Sequence, residues 1–103
     1  MAIIGVSYKP GVGDVRESPS LKIMRILRDR GAELVYHDAH VPELPDFDLK
    51  SASLEQSLEG SDAAAILTAH PGLDVEQILA TAPLVVDFRG VTRGIEAPHL
   101  VRL

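Results

Sequence analysis

Residues 2–19 read AIIGVSYKPGVGDVRESP, and the order of events within that stretch decides the fold. It opens on a short apolar run, residues 2–8, bounded by Lys9-Pro10-Gly11. Such a run reads as a strand buried on both faces. It closes on Ser18-Pro19, a side-chain cap followed by the residue whose missing N–H is harmless at a first helical position. A helix is expected from that point. Leu21, Ile23, Met24, Ile26 and Leu27 give it a wide apolar face, Lys22, Arg25 and Arg28 lie together on the other side as a solvated surface, and Gly31 supplies the stop.

The same alternation continues outward. Residues 33–37 (ELVYH), 63–68 (AAAILT) and 84–87 (LVVD) read as three further strands. Ser53-Leu54-Glu55-Gln56 is a capping box for a short helix that Gly60 closes. Asp74 with Gln77 opens another short helix, reaching about Ala80. Residues 38–51, with Pro42, Pro45 and four acidic side chains, read as an irregular connection, and residues 100–103 offer a fifth strand. Strand–helix alternation at this spacing implies right-handed crossovers. The expected architecture is a single α/β domain over residues 1–103: three layers, with helices on both faces of a parallel sheet of four to five strands. Ligands of such sheets bind beyond the carboxyl ends of the strands, so the loops after Tyr8, His37, Thr68 and Asp87 are the places to search.

Composition narrows the function. Apolar residues make up 46% of the chain and charged residues 24%, ordinary for a soluble globular protein. Ten Lys and Arg against fifteen Asp and Glu leave a net charge of −5, which argues against a general nucleic-acid binder. Aromatic residues are 4% and Trp is absent, so the stacking platforms of single-strand binders are missing as well. With no cysteine, disulfides, thiolate catalysis and Cys-based zinc sites are excluded within this chain. No apolar run approaches the ~20 residues of a membrane span, and Met1 leads into the first strand without a basic leader. The chain reads as cytoplasmic and reduced.

The loop after the first strand holds two cations, two glycines and two prolines within residues 8–19. Lys9 leaves the strand end where it could neutralise a diphosphate, and free amides at the helix start could assist. Gly11 and Gly13 allow close backbone approach or positive φ. Asp14 could accept from a sugar hydroxyl, and Arg16 offers a planar fork for phosphate or carboxylate. The competing reading makes Asp14, Glu17 and Ser18 complements of the helix dipole, with Lys9 and Arg16 as solvated partners. Gly11-x-Gly13 alone does not decide between them: the third glycine of a dinucleotide fingerprint is absent, as is a Gly-Lys-Ser/Thr phosphate loop.

Histidines raise two other ideas. His37 and His40 flank Asp38 at a spacing that suits a helix, yet they fall on a strand end and a loop, so a metal site lacks its geometry. His70 follows the third strand and reads as a solvent-exposed loop residue. Ser7, His70 and Asp87 compose a catalytic triad only on paper, because Ser7 lies inside the first strand and no nucleophile elbow is present. A receiver-type regulatory domain needs acidic residues where this chain has Tyr8-Lys9.

YKPGVGDVRESPSLKIM, then GAELVYHDAHV, SDAAAILTAH and VVDFRG, in register through nearly the whole chain, resemble the C-terminal domain of the UDP-glucose/GDP-mannose dehydrogenase family. The form YKP…RESPSL is most similar to members acting on UDP-N-acetylhexosamines. The resemblance implies a Rossmann-like domain that holds the UDP of a nucleotide sugar, within an enzyme that uses NAD to oxidise the sugar C6 alcohol to a carboxylate. By matching position, Tyr8 and Lys9 would line the UDP-sugar site, Lys9 near phosphate, with Asp14 in the same loop. Arg16 resembles the arginine that reaches toward NAD across the domain boundary. Arg89 corresponds to the arginine after the fourth strand that contacts the nucleotide sugar, often from a neighbouring subunit of a homo-oligomer. The family's catalytic cysteine, its lysine and asparagine acid–base groups and its dinucleotide fingerprint have no counterpart here, so binding without turnover is expected. The family commonly has Asp-Pro where this chain has Asp38-Ala39, and asparagine where it has Gly90; the end after Arg102 is shorter. The alternative function is an interaction or assembly module that keeps the fold without the ligand.

Overall fold

The computed structural model describes residues 1–9, 11, 14–15 and 18–103. In chain order the elements are β1 (Ala2–Ile4), α1 (Pro19–Asp29), β2 (Val35–His37), β3 (Glu43–Leu44), β4 (Leu49–Lys50), α2 (Leu54–Leu58), β5 (Ala64–Ile66), α3 (Val75–Thr81), β6 (Val85–Asp87) and β7 (Leu100–Arg102). Five strands form one sheet in the order β2-β1-β5-β6-β7, with every pairing parallel. The chain leaves β1 on one side for β2 and later returns on the other for β5. The switch in strand order therefore falls between β1 and β5, the position where doubly wound sheets open a ligand crevice.

Alternation along the strands sorts the core into two layers, as the strand period demands. Ile3, Tyr36 and Ala65 face α1, packing with Met24, while Ala2, Ile4, Ala64, Ile66 and Val85 face Leu58 of α2 and Ile78 of α3. The caps expected from sequence are in place. The Ser18 hydroxyl accepts the Ser20 amide, that of Ser53 the Gln56 amide, and the Asp74 carboxylate the Gln77 amide.

β1 stops at Ile4, well before the expected end at Tyr8, and Gly5 is the reason. Its φ of +82° turns the chain out of the ladder, and a Cβ there would lie 2.0 Å from the Thr68 carbonyl oxygen. Only glycine meets both conditions.

Residues 38–51 are more ordered than an irregular connection. β3 and β4 form an antiparallel two-stranded ribbon around a 3-10 turn, Pro45–Phe47, and Val41, Leu44 and Phe47 are buried in the α1-side core. Pro42, Pro45, Glu43, Asp46 and Asp48, which suggested a loop, occupy its solvent side, while Asp38 is buried. The basic face of α1 is likewise more than solvated surface. The guanidinium carbons of Arg25 and Arg28 sit 5.5 and 5.2 Å from the Phe47 ring centroid, and Arg28 donates to the Phe47 carbonyl. Each long side chain covers apolar surface while its charge stays in water.

Gly5→Ala is expected to destabilise the domain by about 2 kcal/mol or more, since it combines an unfavourable φ with backbone overlap. Urea unfolding of both proteins measures the difference; a loss under half that size would mean the Thr68 loop yields easily.

Candidate functional site

A cleft of about 420 Å³ opens at the carboxyl ends of β1, β5 and β6, walled by Ser7 and Tyr8, Leu67 and Thr68, Phe88 and Arg89, and by Pro19, Ser20 and Ile23 at the start of α1. Its size is within the roughly 300–1,000 Å³ of small-molecule sites. Tyr8 and Phe88 are among the exposed aromatic residues, at 51% and 39%. The positive end of the α1 dipole faces the same space.

The turn after β6 is built on one carboxylate. Asp87 is fully buried; Oδ1 accepts the amides of Arg89 and Gly90, each at 2.9 Å, and Oδ2 accepts the Thr92 amide and hydroxyl at 2.9 and 2.6 Å. Burial alone would raise its pKa. The four donors, led by the Thr92 hydroxyl, outweigh burial and hold it below the ordinary 3.8. Arg102 of β7 secures the far side of this loop by donating to the carbonyls of Thr92 and Ile95. The backbone beneath Arg89 is thus fixed, while its side chain stays exposed.

A second buried carboxylate organises the loop after β1. Asp38 Oδ2 accepts the Val6 and Ser7 amides at 2.9 and 3.2 Å, and Oδ1 accepts the His40 amide at 2.9 Å. His70 Nε2 lies 2.9 Å from the same carboxylate and 3.2 Å from Ser7 Oγ, while its Nδ1 accepts the Gly11 amide at 2.8 Å. An Nδ1 that accepts carries no proton, so Nε2 is the donor in the neutral ring. Burial pushes Asp38 up, and the bonds from His70 and from the Val6 and His40 amides bring it below its ordinary value. His70 is therefore a half-buried bridge between loops and not the solvent-exposed residue expected. Its placement after a strand end was legible; its partners, far off in sequence, were not.

Ser7 and His70 do meet, but no triad results. Asp87 is engaged in its own turn, and Ser7 and Asp38 share one imidazole nitrogen that donates to both. The Ser7 hydroxyl in turn donates to the Lys9 carbonyl. Among the described residues no three His, Cys, Asp or Glu side chains converge as metal ligands; His37 hydrogen-bonds the Ala52 carbonyl, and the His40 ring packs on His70 with centroids 4.4 Å apart.

The structure brings Tyr8 and Arg89 together on one cleft. Lys9 follows Tyr8 at the same sheet edge and is exposed, one residue beyond the wall of the cleft. Among the described residues neither Lys9 nor Arg89 is held in an ion pair. Asp14 is exposed, and its carbonyl accepts the Tyr8 amide. Gly13 and Arg16 lie outside the described residues. The helix-start amides expected to hold phosphate are already engaged: Pro19 has none, Ser20 N donates to Ser18 Oγ, and Leu21 N donates to the Ser18 carbonyl. Thr68 and Phe88, which were not singled out as site residues from sequence, lie at strand ends, Thr68 two residues past β5 and Phe88 directly after β6. Thr68 Oγ1 donates to the Ser7 carbonyl at 2.9 Å, joining two walls of the cleft.

A doubly wound parallel domain with a cleft at the switch in strand order is the class these features define. The sequence model of the UDP-glucose/GDP-mannose dehydrogenase family, UDP binding domain, matches residues 2–94, and the chain belongs to that family. Among similar proteins is the UDP-N-acetyl-D-mannosamine dehydrogenase of Pyrococcus horikoshii, 32% identical over 112 residues that cover 91% of this chain and 25% of that protein. The UDP-glucose 6-dehydrogenase of Rhizobium meliloti is 29% identical over 106 residues, covering 93% of this chain and 24% of that one. The solved UDP-D-ManNAc dehydrogenase from Pyrococcus horikoshii superposes with a TM-score of 0.77 at 28% identity, over 98% of this chain and 24% of that one. This chain spans about a quarter of the length of these relatives.

Asp87→Asn is expected to cost about 2 kcal/mol at pH 7, because one acceptor oxygen becomes a donor facing other donors. A carboxyl whose folded pKa is lowered contributes fully above its ordinary 3.8 and loses that contribution as pH falls through the lowered value. The difference from wild type should therefore shrink as pH drops below 3.8. Urea unfolding across this range tests it; a difference constant with pH would contradict the role given to the charge.

Proposed function

We propose that this domain holds the UDP portion of a nucleotide sugar in an NAD-dependent nucleotide-sugar 6-dehydrogenase, whose overall reaction takes the sugar C6 alcohol to a carboxylate. The observation that carries the reading is the convergence of Tyr8 and Arg89 on one cleft at the α1 N-terminus, in a chain that belongs to this family. Arg89 is suited to the anionic part of the ligand because its planar fork can take two phosphate oxygens at once. Lys9 would add a second positive charge from the rim, and Tyr8 an aromatic wall. Asp14 would accept from a hydroxyl of the ligand.

Similarity to UDP-N-acetyl-D-mannosamine dehydrogenases favours a UDP-N-acetylhexosamine as the sugar nucleotide. NAD would supply the oxidising power from outside these residues, Arg16 being the one position here assigned to it. A homo-oligomeric, cytoplasmic enzyme belongs to the same reading. Among the described residues no helix is long and apolar enough to cross a membrane. The rival reading, an assembly module without a ligand, gains no support from the relatives.

Calorimetric titration of the chain with UDP should give measurable but weak binding. Arg89→Ala is expected to weaken it about tenfold, the size of one lost charge-assisted bond. Lys9→Ala should weaken it about fivefold, less because an exposed ammonium is screened by water and salt. Addition of NAD and a UDP-sugar to the chain should produce no NADH absorbance. Equal affinity for all three proteins would remove the cleft from the proposal.

A further inference from the structure

We infer that His70 is a positioning residue for Lys9, holding the Gly11 flank of the lysine through Nδ1 while Nε2 anchors the ring; the inference rests on the nucleotide reading above. Lys9 lies between Ser7 and Gly11 in the chain. On one flank, Ser7 Oγ lies 3.2 Å from His70 Nε2, and its proton goes to the Lys9 carbonyl at 3.1 Å. On the other, the Gly11 amide donates to His70 Nδ1 at 2.8 Å. The ring is held by the Asp38 carboxylate at 2.9 Å and by the His40 ring packed against it. Its side chain is 13% exposed.

The two ring nitrogens do different work. The Nε2 contact with Asp38 ties the ring to the frame of the sheet. The Nδ1 contact with Gly11 reaches out to the turn that carries Lys9, where φ at Gly11 is +80° and the chain must be held against many alternatives. Asp38 also accepts the Val6 and Ser7 amides directly, so the frame keeps most of its bonds without the outer one. The Gly11 contact is separable from the fold, and its consequence is local to Lys9.

Two substitutions divide these functions. In His70→Asn the amide oxygen stands near the Nδ1 position and can accept from Gly11, while the contacts with Asp38 and Ser7 Oγ are lost and the Ser7 hydroxyl keeps its own bond to the Lys9 carbonyl. In His70→Gln the amide nitrogen stands near Nε2 and can donate to Asp38, while Gly11 loses its acceptor. The measurements are UDP affinity by calorimetry and the hydrogen-exchange rate of the Gly11 amide by NMR, with the melting temperature recorded for each protein.

His70→Gln should weaken UDP binding about fivefold and speed Gly11 exchange about as much, the size of one lost hydrogen bond. His70→Asn should stay within about twofold of wild type on both counts. On a Lys9→Ala background, His70→Gln should have no further effect on affinity, because the two act through one contact with the ligand. Wild-type affinity for His70→Gln, equal damage from both His70 variants, or additive losses with Lys9→Ala would each overturn the inference. If wild type binds no UDP, the nucleotide reading fails. The clamp then stands on Gly11 exchange alone, and is overturned unless the amide is protected in wild type and His70→Asn and unprotected in His70→Gln.

Discussion

A buried carboxylate at the end of β2 makes the ligand edge of this sheet possible. Gly5 carries the chain out of β1 one residue after the ladder ends, so the amides of Val6 and Ser7 have no strand to bond. Both residues are buried, and unpaired amides there would each cost about 1–3 kcal/mol. Asp38, 1% exposed, takes both amides on one oxygen. Burying a lone carboxylate would itself be costly. Two backbone amides on one oxygen, the His40 amide and His70 together offset that cost, and the lowered pKa of Asp38 is the sign that the charged form is the one the fold prefers.

The same device recurs at β6, where Asp87 gathers the donors of the following turn. The two aspartates sit at strand ends on the same edge of a parallel sheet, and each turns a strand into a loop of one conformation. Between them lies β5, whose Thr68 backs onto Gly5 and bonds the Ser7 carbonyl. Tyr8 and Arg89 thus project from backbones fixed before any ligand arrives. Loops held in this way lose little conformational freedom on binding, which is how a small cleft gains affinity without many contacts.

Much of this was legible in sequence because the governing patterns are local. Apolar runs marked β1, β2, β5 and β6, and Ser18-Pro19, Ser53 and Asp74 marked the helix starts. What depended on distant partners was hidden. Nothing near Phe47 announces that two arginines of α1 will cover it, and nothing near His70 announces Asp38 and Gly11. Strand ends were overrun for a related reason: apolar composition extends to Tyr8, while the ladder ends where Gly5 meets the Thr68 carbonyl. Two departures from the family pattern become mild once the turns are seen. Gly90 adopts φ +75°, a region open to glycine and, among other residues, most readily to asparagine. Ala39 is the second residue of the turn closed by the Val41 amide on the Asp38 carbonyl, a position that favours proline without requiring it.

Charge within the site follows a division of labour. Asp38 and Asp87 are buried and saturated with donors, so they set geometry and offer little to a ligand. Lys9 and Arg89 stand exposed at the rim. Arg25, Arg28 and Arg102 are engaged with Phe47 and with backbone carbonyls. A cation that already sits in a buried ion pair would have to leave it before meeting phosphate. A hydrated, unpaired one gives up only water. On a chain of net charge −5 the long-range field does not favour an anion, so attraction must come from these few cations and the α1 dipole acting at short range. Under the proposed reading, that arrangement suits a small phosphate ester held in one cleft.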